Sequence, residues 1–305
     1  MLAPVPIVRR TLFTGELMAI AHVAARPMST AIDPIESQPC NVLVLPLAGV
    51  FAKHEGPRHH FIATANHAVL VAANRPYRVS FPGAIGDRCL TLRLSGEALA
   101  RTLPCAVVRD GFDLAAFAPH VLLPPRAMLA RSLLWHRLSG PAIDPLEIEE
   151  LGVAVLAEGL LAAHRGPARR AASPALRARP IARRIERVKE AISVAPEHRW
   201  TLAELARLAD MTPFHLAHEF RREVAESVHR YVVRARLARG LEAVLGGRAG
   251  LTEIAFETGF ASHSHFTARF RALFGVTPHE LRRVARRDSV AALRKIVTAR
   301  VATAS

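Results

Sequence analysis

The sequence predicts an α+β protein in which an N-terminal β-barrel with a helical appendage precedes an all-α C-terminal domain. Residues 40–95 consist of short apolar runs separated by Gly, Pro and Asn, which is typical of an antiparallel sheet. Residues 181–287 instead show helical periodicity throughout. Between these two segments, residues 165–180 are rich in Arg, Ala and Pro and have no apolar face, as expected of a linker.

The predicted domain boundaries follow these changes in pattern. Residues 1–38 contain several prolines and no sustained periodicity, so we expect a flexible N-terminal arm. Residues 39–164 are expected to form the β-barrel domain, with helices in place of strands from residue 96 onward. Residues 181–287 form the helical domain, and residues 288–305 remain as a C-terminal tail.

The excess positive charge is concentrated in the C-terminal part of the chain. Residues 1–164 carry 14 Lys and Arg against 13 Asp and Glu, whereas residues 165–305 carry 27 against 13. Such a field favours a polyanionic partner, because each phosphate that a cation neutralises also releases counterions. Charge taken alone also fits a solubilising surface.

Composition argues against several other classes of protein. Three cysteines without a CxxC pair suggest neither a disulfide framework nor a zinc finger. No apolar run approaches the roughly 20 residues needed to span a bilayer, and the N-terminus lacks a clean signal core. We therefore expect a cytoplasmic protein without a membrane partner.

The helical domain contains an internal repeat. TLAELA at residues 201–206 matches GLTEIA at residues 250–255, and HLAHEFRR at residues 215–222 matches HFTARFRA at residues 265–272. The two offsets differ by one residue, which places an insertion in the intervening turn. Each copy has the pattern of a short helix, a tight turn and a second helix, so the sequence predicts two helix-turn-helix units.

Capping signals define the ends of these helices. Thr201 and Glu204 form a T-x-x-E capping box that opens the first helix of the first unit. Thr212 caps the second helix, with Pro213 at its first position. In the second unit, Gly259 follows the short helix as a stop signal.

The second helix of each unit combines an apolar face with an opposite stripe of small and polar residues. In the first unit this stripe consists of Phe214, Ala217, His218 and Arg221, and in the second unit of Ser264, Thr267, Ala268 and Arg271. Small side chains permit close approach to a groove, polar ones contact base edges, and an Arg reaches a phosphate. An ordinary amphipathic helix would explain either stripe alone. Two stripes in the same register, within the basic part of the chain, favour DNA binding.

A long helix is predicted between the two units. It runs roughly from Ser227 to Leu245 and would be about 28 Å long at 1.5 Å per residue. This length is close to one turn of B-DNA. Two recognition helices at that separation could enter successive major grooves on one face of the duplex.

The stretch from Ile185 to Arg283 resembles the C-terminal domain of the AraC/XylS family of transcription regulators. TLAELARLADMTPFHLAHEFRR is similar to the first unit of that family, and RYVVRARLARGLEAVL to its connecting helix. LTEIAFETGFASHSHFTARFRALFGVTPHELRR is similar to its signature segment. The resemblance covers about 100 residues and implies a DNA-binding domain of seven helices.

The resemblance also implies which residues face DNA. Base-facing positions fall on Phe214, Ala217, His218, His263, Ser264, Thr267 and Ala268. We assign phosphate contacts to Arg221, Arg222, Arg269 and Arg271. This sequence departs from the family at two positions, because Ala268 stands where Arg is common and Gly240 where Ala is usual in the connecting helix.

The N-terminal half resembles the cupin-like sensor domains of the same family through PLAGVFAKHEG, RPYRVSFPG and GDRCLTLRLS. This resemblance implies a small jelly-roll barrel with a pocket for an effector. Metal-binding cupins use an HxH pair, whereas His59 and His60 are adjacent and point to opposite faces of a strand, with His54 and His67 nearby. We therefore expect no metal site, and we interpret Cys89 as a small core residue in preference to a redox sensor.

Together these features predict a transcription regulator without a cofactor or an enzymatic activity. The expected partners are double-stranded DNA, RNA polymerase, an unidentified small-molecule effector and a second copy of the chain in a homodimer. One alternative is a cupin-type enzyme fused to a DNA-binding module, and another is an effector-independent DNA binder whose N-terminal half only dimerises. A metal triad or an activated nucleophile would favour the enzyme, and the sequence shows neither.

Overall fold

The computed structural model describes residues 6–56, 60–94, 117–140, 144–165 and 180–286. Within these residues the strands are β1 (Ile7–Thr14), β2 (Met18–Ala25), β3 (Asn41–His54), β4 (His60–Thr64), β5 (His67–Val71), β6 (Arg78–Ser80), β7 (Asp87–Leu94) and β8 (His120–Leu122). The helices are α1 (Pro125–Leu138), α2 (Pro145–Arg165), α3 (Pro180–Val194), α4 (Leu202–Leu208), α5 (Pro213–Val224), α6 (Val228–Gly246), α7 (Leu251–Glu257), α8 (His263–Phe274) and α9 (Pro278–Arg286).

The strands form one antiparallel β domain. Its main path runs β1-β2-β7-β3-β5-β8, while β4 and β6 pair with the second half of β3. β3 is therefore shared between two halves of the sheet, and it turns between them at Gly49, whose φ is 79°. A Cβ at Gly49 would collide with the carbonyl oxygen of Gly86, so this turn requires glycine. The two halves enclose an interior lined by apolar side chains.

The expectation of a flexible arm over residues 1–38 is wrong for residues 7–25, which form β1 and β2. β2 lies between β1 and β7 in a continuous antiparallel ladder. β1 is an edge strand whose side chains are mostly exposed, so it lacks the apolar alternation that marks a half-buried strand. The β domain thus begins before residue 39.

Two helices cover one side of the sheet. α1 and α2 pack against each other and bury Met128, Leu133, Ile148 and Val155 completely. β8 is a short strand within the part of the chain that we expected to be helical. The segment 95–116 lies outside the described residues, so the prediction of helices there stays a prediction.

The C-terminal helices α3–α9 contain two apolar cores. One core joins α3 to the first helix-turn-helix pair and includes Ile185, Leu216 and Phe220. The other core contains the second pair and continues into α1 and the sheet, so Phe266 belongs to the same buried cluster as Leu133. The second pair is therefore packed against the β domain's helices. In the described part of the chain, no helix is long and apolar enough to cross a bilayer. Most of the predicted linker and the predicted C-terminal tail lie outside the described residues.

Candidate nucleic-acid interface

The first helix-turn-helix unit is built by local capping, as predicted. Thr201 Oγ1 accepts the backbone N–H of Glu204 at 3.2 Å, and Glu204 Oε2 accepts that of Thr201 at 2.8 Å. The Thr201 hydroxyl, which donates to Glu204 Oε2 at 2.7 Å, and the Thr201 N–H lower the pKa of Glu204. The chain then turns through Asp210, which has a φ of 52°, and Thr212 caps α5. The capping box and the second cap are both confirmed.

The second unit reaches the same arrangement with different residues. Gly250 has no capping side chain, but its N–H donates to Glu253 Oε2 at 3.2 Å. Gly259 ends α7 with a φ of 84°, and a Cβ there would lie 2.8 Å from Glu197 Cα. Ser262 then caps α8. The turn therefore requires glycine both for its backbone conformation and for its close approach to the α3–α4 loop.

Buried phenylalanine and leucine side chains fix the rotation of α5 and α8. Leu216 and Phe220 in α5 are completely buried, and so are Phe266 and Phe270 in α8. All seven predicted base-facing residues lie on the opposite sides of these helices. Phe214, His218, His263, Ser264 and Ala268 are exposed, while Ala217 and Thr267 are partly exposed. Phe214 is 84% exposed, which is exceptional for a large apolar side chain.

The four predicted phosphate-binding arginines differ in their surroundings. Arg221 and Arg271 are exposed and continue the two stripes at equivalent positions. Arg222 is held in ion pairs with Glu219 and, at 3.1 Å, with Glu223. Arg269 donates to His265 at 3.4 Å and lines a groove beside α6, away from the base-facing stripe. The geometry thus brings Arg221 and Arg271 together with the stripes and places Arg222 and Arg269 apart from them.

The connecting helix α6 matches the predicted one in position and length. Its 19 residues begin after the Ser227 cap and end before the Gly247 cap, giving a length of about 28 Å. Gly240 is buried, and a Cβ there would lie 2.8 Å from the ring of Phe266. The glycine that departs from the family pattern therefore lets the second recognition helix approach α6 closely.

Arg236 joins the two helix-turn-helix units, a role that no motif in the sequence indicates. It lies on α6 and donates to four backbone carbonyl oxygens, at 2.7 Å to Pro196, 3.5 Å to Glu197, 2.8 Å to His198 and 2.9 Å to Gly259. The first three acceptors precede α4, and the fourth follows α7. One side chain thereby fixes the spacing of both units along the connecting helix.

A buried polar network ties the β domain to the connecting helix. Arg131 of α1 is completely buried and donates to the carbonyl oxygens of Pro46 at 2.7 Å and Ala65 at 2.5 Å. It also lies 3.4 Å from Glu242 of α6, which accepts a second hydrogen bond from Ser132. Burial lowers the pKa of Arg131 and raises that of Glu242, while the opposite charges act against both shifts.

A second contact between the domains surrounds His67. The ring of His67 packs against that of Tyr231 from α6 at 6.2 Å and accepts the backbone N–H of Thr64 at 3.3 Å. Burial, together with the nearby charge of Lys189, lowers the pKa of His67 well below its ordinary value. Glu186 of α3 accepts the backbone N–H of Ile62 at 2.6 Å. The β domain therefore contacts α6 next to both recognition helices.

The β domain contains a partly open cavity of about 110 Å³. Its walls are mostly Val and Phe side chains, including Val42, Val69 and Phe51. Polar groups enter it from Lys53, Tyr77 and Asp87, among others. Burial raises the pKa of Asp87 to about 6. A mostly apolar cavity with a few polar groups has the character of a small-molecule site.

The histidines considered as metal ligands do not form one group, although the rings of His54 and His60 lie 5.2 Å apart. His54 hydrogen-bonds Ser80 Oγ at 2.8 Å, whereas His67 is buried on the α6 side of the domain. His59 lies outside the described residues. Among the residues that the structure describes, no three His, Cys, Asp or Glu side chains are grouped to hold a metal ion. Cys89 is a buried free thiol, and burial raises its pKa, which disfavours the reactive thiolate.

Comparison with known proteins agrees with this geometry for the C-terminal domain. Residues 205–284 match a family model described as a helix-turn-helix domain. An AraC-like transcription regulator of Streptomyces antibioticus is 32% identical over 88 residues, covering 29% of each chain. The HTH-type transcriptional regulator GlxA of Rhizobium meliloti (strain 1021) is 33% identical over 96 residues, or 32% of this chain and 30% of that protein.

The C-terminal part of the chain is a helix-turn-helix domain of the AraC type. The chain spans about three-tenths of the length of these curated relatives. Among solved structures, a DNA-binding transcriptional dual regulator from Escherichia coli K-12 is 28% identical, covers 34% of this chain and 93% of its own, and has a TM-score of 0.32.

Proposed function

We propose that this protein is a transcription regulator that binds duplex DNA through α5 and α8 in successive major grooves. The observation that carries the proposal is the pair of exposed stripes at equivalent positions on two helices, held apart by one connecting helix. The centres of the two units are separated along α6, whose length of about 28 Å is close to the repeat of B-DNA. Arg236 keeps that separation fixed.

Each stripe contains groups suited to base edges, followed by an arginine suited to the backbone. Phe214 is an exposed aromatic side chain that fits contact with thymine methyl groups, and His218 can donate to or accept from a base edge. Arg221 lies one turn further along α5 and is proposed to contact a phosphate. Ser264 and Thr267 are proposed as the polar contacts of α8. Since Ala268 is apolar, we expect the second unit to contribute less sequence preference than the first.

The decisive experiment is selection of binding sites from random DNA with the full chain and five variants, His218→Ala, Arg221→Ala, Ser264→Ala, Thr267→Ala and Arg239→Ala. His218→Ala should relax the selected motif at one or two positions and cost about 1–3 kcal/mol on the preferred site. Arg221→Ala should weaken all sequences alike and lower the salt dependence by about one unit in the log–log slope. Arg239→Ala changes an exposed cation on α6, away from the stripes, and serves as the matched control.

The outcome separates the possible functions. The proposal is supported if binding depends on salt and if His218→Ala reduces the base preference at one or two positions of the selected motif. A folded protein that lacks salt-dependent affinity for DNA would overturn it. An unchanged motif in His218→Ala, together with a motif erased by Ser264→Ala and Thr267→Ala, would reverse the ranking of the two units.

We also propose that the β domain is a cupin-like sensor whose cavity binds a small-molecule effector. The cavity lies in the domain that contacts α6 through Arg131 and His67, so a ligand there would act through those contacts on the helix that positions both units. RNA polymerase and a second copy of the chain are the further proposed partners. Sedimentation of the full chain at tens of micromolar tests self-association, and a strict monomer would contradict it.

A further inference from the structure

The cavity of the β domain contains a carboxyl group without a cationic partner. Asp87 opens β7 and lines the cavity together with Cys89 and Thr91, which follow it at alternate positions of the strand. In the described part of the chain, its side-chain hydrogen bond comes from Cys89 Sγ–H, at 2.7 Å. A thiol is a weak donor, so the carboxylate retains most of its capacity to accept hydrogen bonds.

The backbone around Asp87 holds this carboxyl in place. Asp87 pairs with Ala25 of β2 on one side and with Gly49 of β3 on the other. A Cβ at Gly49 would lie 2.7 Å from Asp87 Cα, and a Cβ at Gly86 would collide with the carbonyl oxygen of Ala25. Because two glycines allow three strands to meet this closely, Asp87 has little freedom to swing its side chain out of the cavity.

The principal cation of the cavity is already neutralised. Lys53 Nζ lies 2.6 Å from Glu55 Oε1 and sits over the rings of Phe61 and Tyr77, at 5.7 Å and 5.4 Å from their centroids. This pairing leaves Lys53 little capacity to attract an anion. The remaining ionisable groups that line the cavity are Arg9, Glu36, Tyr77 and Cys89. Tyr77 donates its hydroxyl to Glu36 at 3.2 Å, and Arg9 is an exposed residue of the edge strand.

We infer that the cavity binds a small aliphatic or aromatic amine whose ammonium group pairs with Asp87. The volume of about 110 Å³ is somewhat smaller than the roughly 150 Å³ cavity that accommodates benzene in an engineered protein, so the part of the ligand inside the cavity has no more than about six non-hydrogen atoms. The Val and Phe walls bury its apolar part, and Asp87 supplies the charge-assisted hydrogen bond. The inference rests on the proposed effector role of the β domain and assigns the chemical class of the ligand.

The test uses the full chain and three probes of similar size, namely isobutylamine, isobutanol and isovalerate. Isothermal titration at neutral pH should give at least about tenfold tighter binding for the amine than for the alcohol, because the charged hydrogen bond forms only with the amine. Isovalerate should bind more weakly than both. Asp87→Asn keeps the size of the side chain and should remove the preference for the amine, while Asp144→Asn makes the same change at an exposed residue that does not line the cavity and should change amine affinity less than threefold.

Each result bears on the inference separately from DNA binding. A preference for isovalerate, the absence of amine binding, or an equal preference for the amine in Asp87→Asn would overturn it. Loss of a buried unpaired carboxylate should not unfold the protein, so Asp87→Asn is expected to melt at the wild-type temperature or above it. DNA affinity is measured on the same samples without amine. Its absence would refute the proposed function while leaving the amine site standing, and the converse result would refute only the amine site.

Discussion

Replacing Arg131 by Met should destabilise the full chain by about 3–5 kcal/mol. The guanidinium is completely buried and its acceptors are the carbonyl oxygens of Pro46 and Ala65, the carboxylate of Glu242 and, at 3.4 Å, the hydroxyl of Ser132. Methionine fills much of the same volume but donates no hydrogen bond. Two buried carbonyl groups would lose a donor at about 1–2 kcal/mol each, and the carboxylate would lose its counterion.

The assays are urea unfolding and thermal unfolding of the full chain, both followed by circular dichroism. At about 2 °C per kcal/mol for a chain of this size, the melting temperature should fall by roughly 6–10 °C. Arg239→Met is the matched control, because Arg239 makes an ion pair with Glu197 at 2.8 Å in which both side chains are about half exposed. An exposed pair of this kind contributes at most about 1 kcal/mol.

Glu242→Gln separates the ion pair from the other contacts of Arg131. This variant keeps the two carbonyl acceptors and removes only the negative charge, so it should cost less than Arg131→Met. Equal effects of Arg131→Met and Arg239→Met would refute the argument, since Arg131 is buried and donates to two carbonyl groups whereas Arg239 is about half exposed. A larger effect of Glu242→Gln than of Arg131→Met would show that the carbonyl contacts do not contribute.

Three further predictions follow from the packing. Gly240→Ala should destabilise the chain by about 1–3 kcal/mol and weaken DNA binding, since its Cβ would press on Phe266. The added Cβ of Gly246→Ala would meet open space, so this variant should be neutral or stabilising in the same unfolding assay. His67 stays neutral in the folded state because burial depresses its pKa, whereas the unfolded chain takes up a proton at this residue. The free energy of unfolding should therefore fall as the pH drops below about 6.5, by up to about 1.4 kcal/mol per pH unit. His67→Asn, unfolded between about pH 7 and 5, should lack that part of the pH dependence. Arg236→Ala should weaken binding to the complete site selected from random DNA more than binding to half of it, and equal losses would contradict its role in fixing the spacing.

The helix-turn-helix units could be predicted because their determinants are local. The Thr201 cap, the Thr212 cap and the Gly259 stop each act within a few residues, and the apolar spacing of α5 and α8 sets which side faces outward. Gly240 was recognised only as a departure from the family. Its reason is the approach of Phe266, which comes from another helix and is invisible in the sequence of α6.

The features that sequence reasoning missed depend on contacts between distant segments. β1 is an edge strand without apolar alternation, so nothing in Ile7–Thr14 distinguishes it from a loose arm. Arg131 lies within an amphipathic helical pattern and resembles a solvent-exposed cation. It can be buried because carbonyl groups 85 and 66 residues away accept hydrogen bonds from its guanidinium group. Asp87 likewise follows a Gly in an ordinary strand pattern. Only the folded sheet shows that its carboxyl lines a cavity.

The cavity and the connecting helix are joined by a short series of contacts. Cys89, which donates to Asp87, pairs in the sheet with Pro46, and the carbonyl oxygen of Pro46 accepts a hydrogen bond from Arg131. Arg131 in turn contacts Glu242 on the helix that separates the two recognition helices. These contacts connect the cavity to α6, but contact alone does not determine the coupling energy between ligand binding and DNA binding. A ligand at Asp87 changes DNA affinity only if it binds the DNA-competent arrangement of α6 and the alternative arrangement with different affinities. The factor by which the ligand changes DNA affinity must then equal the factor by which DNA changes ligand affinity.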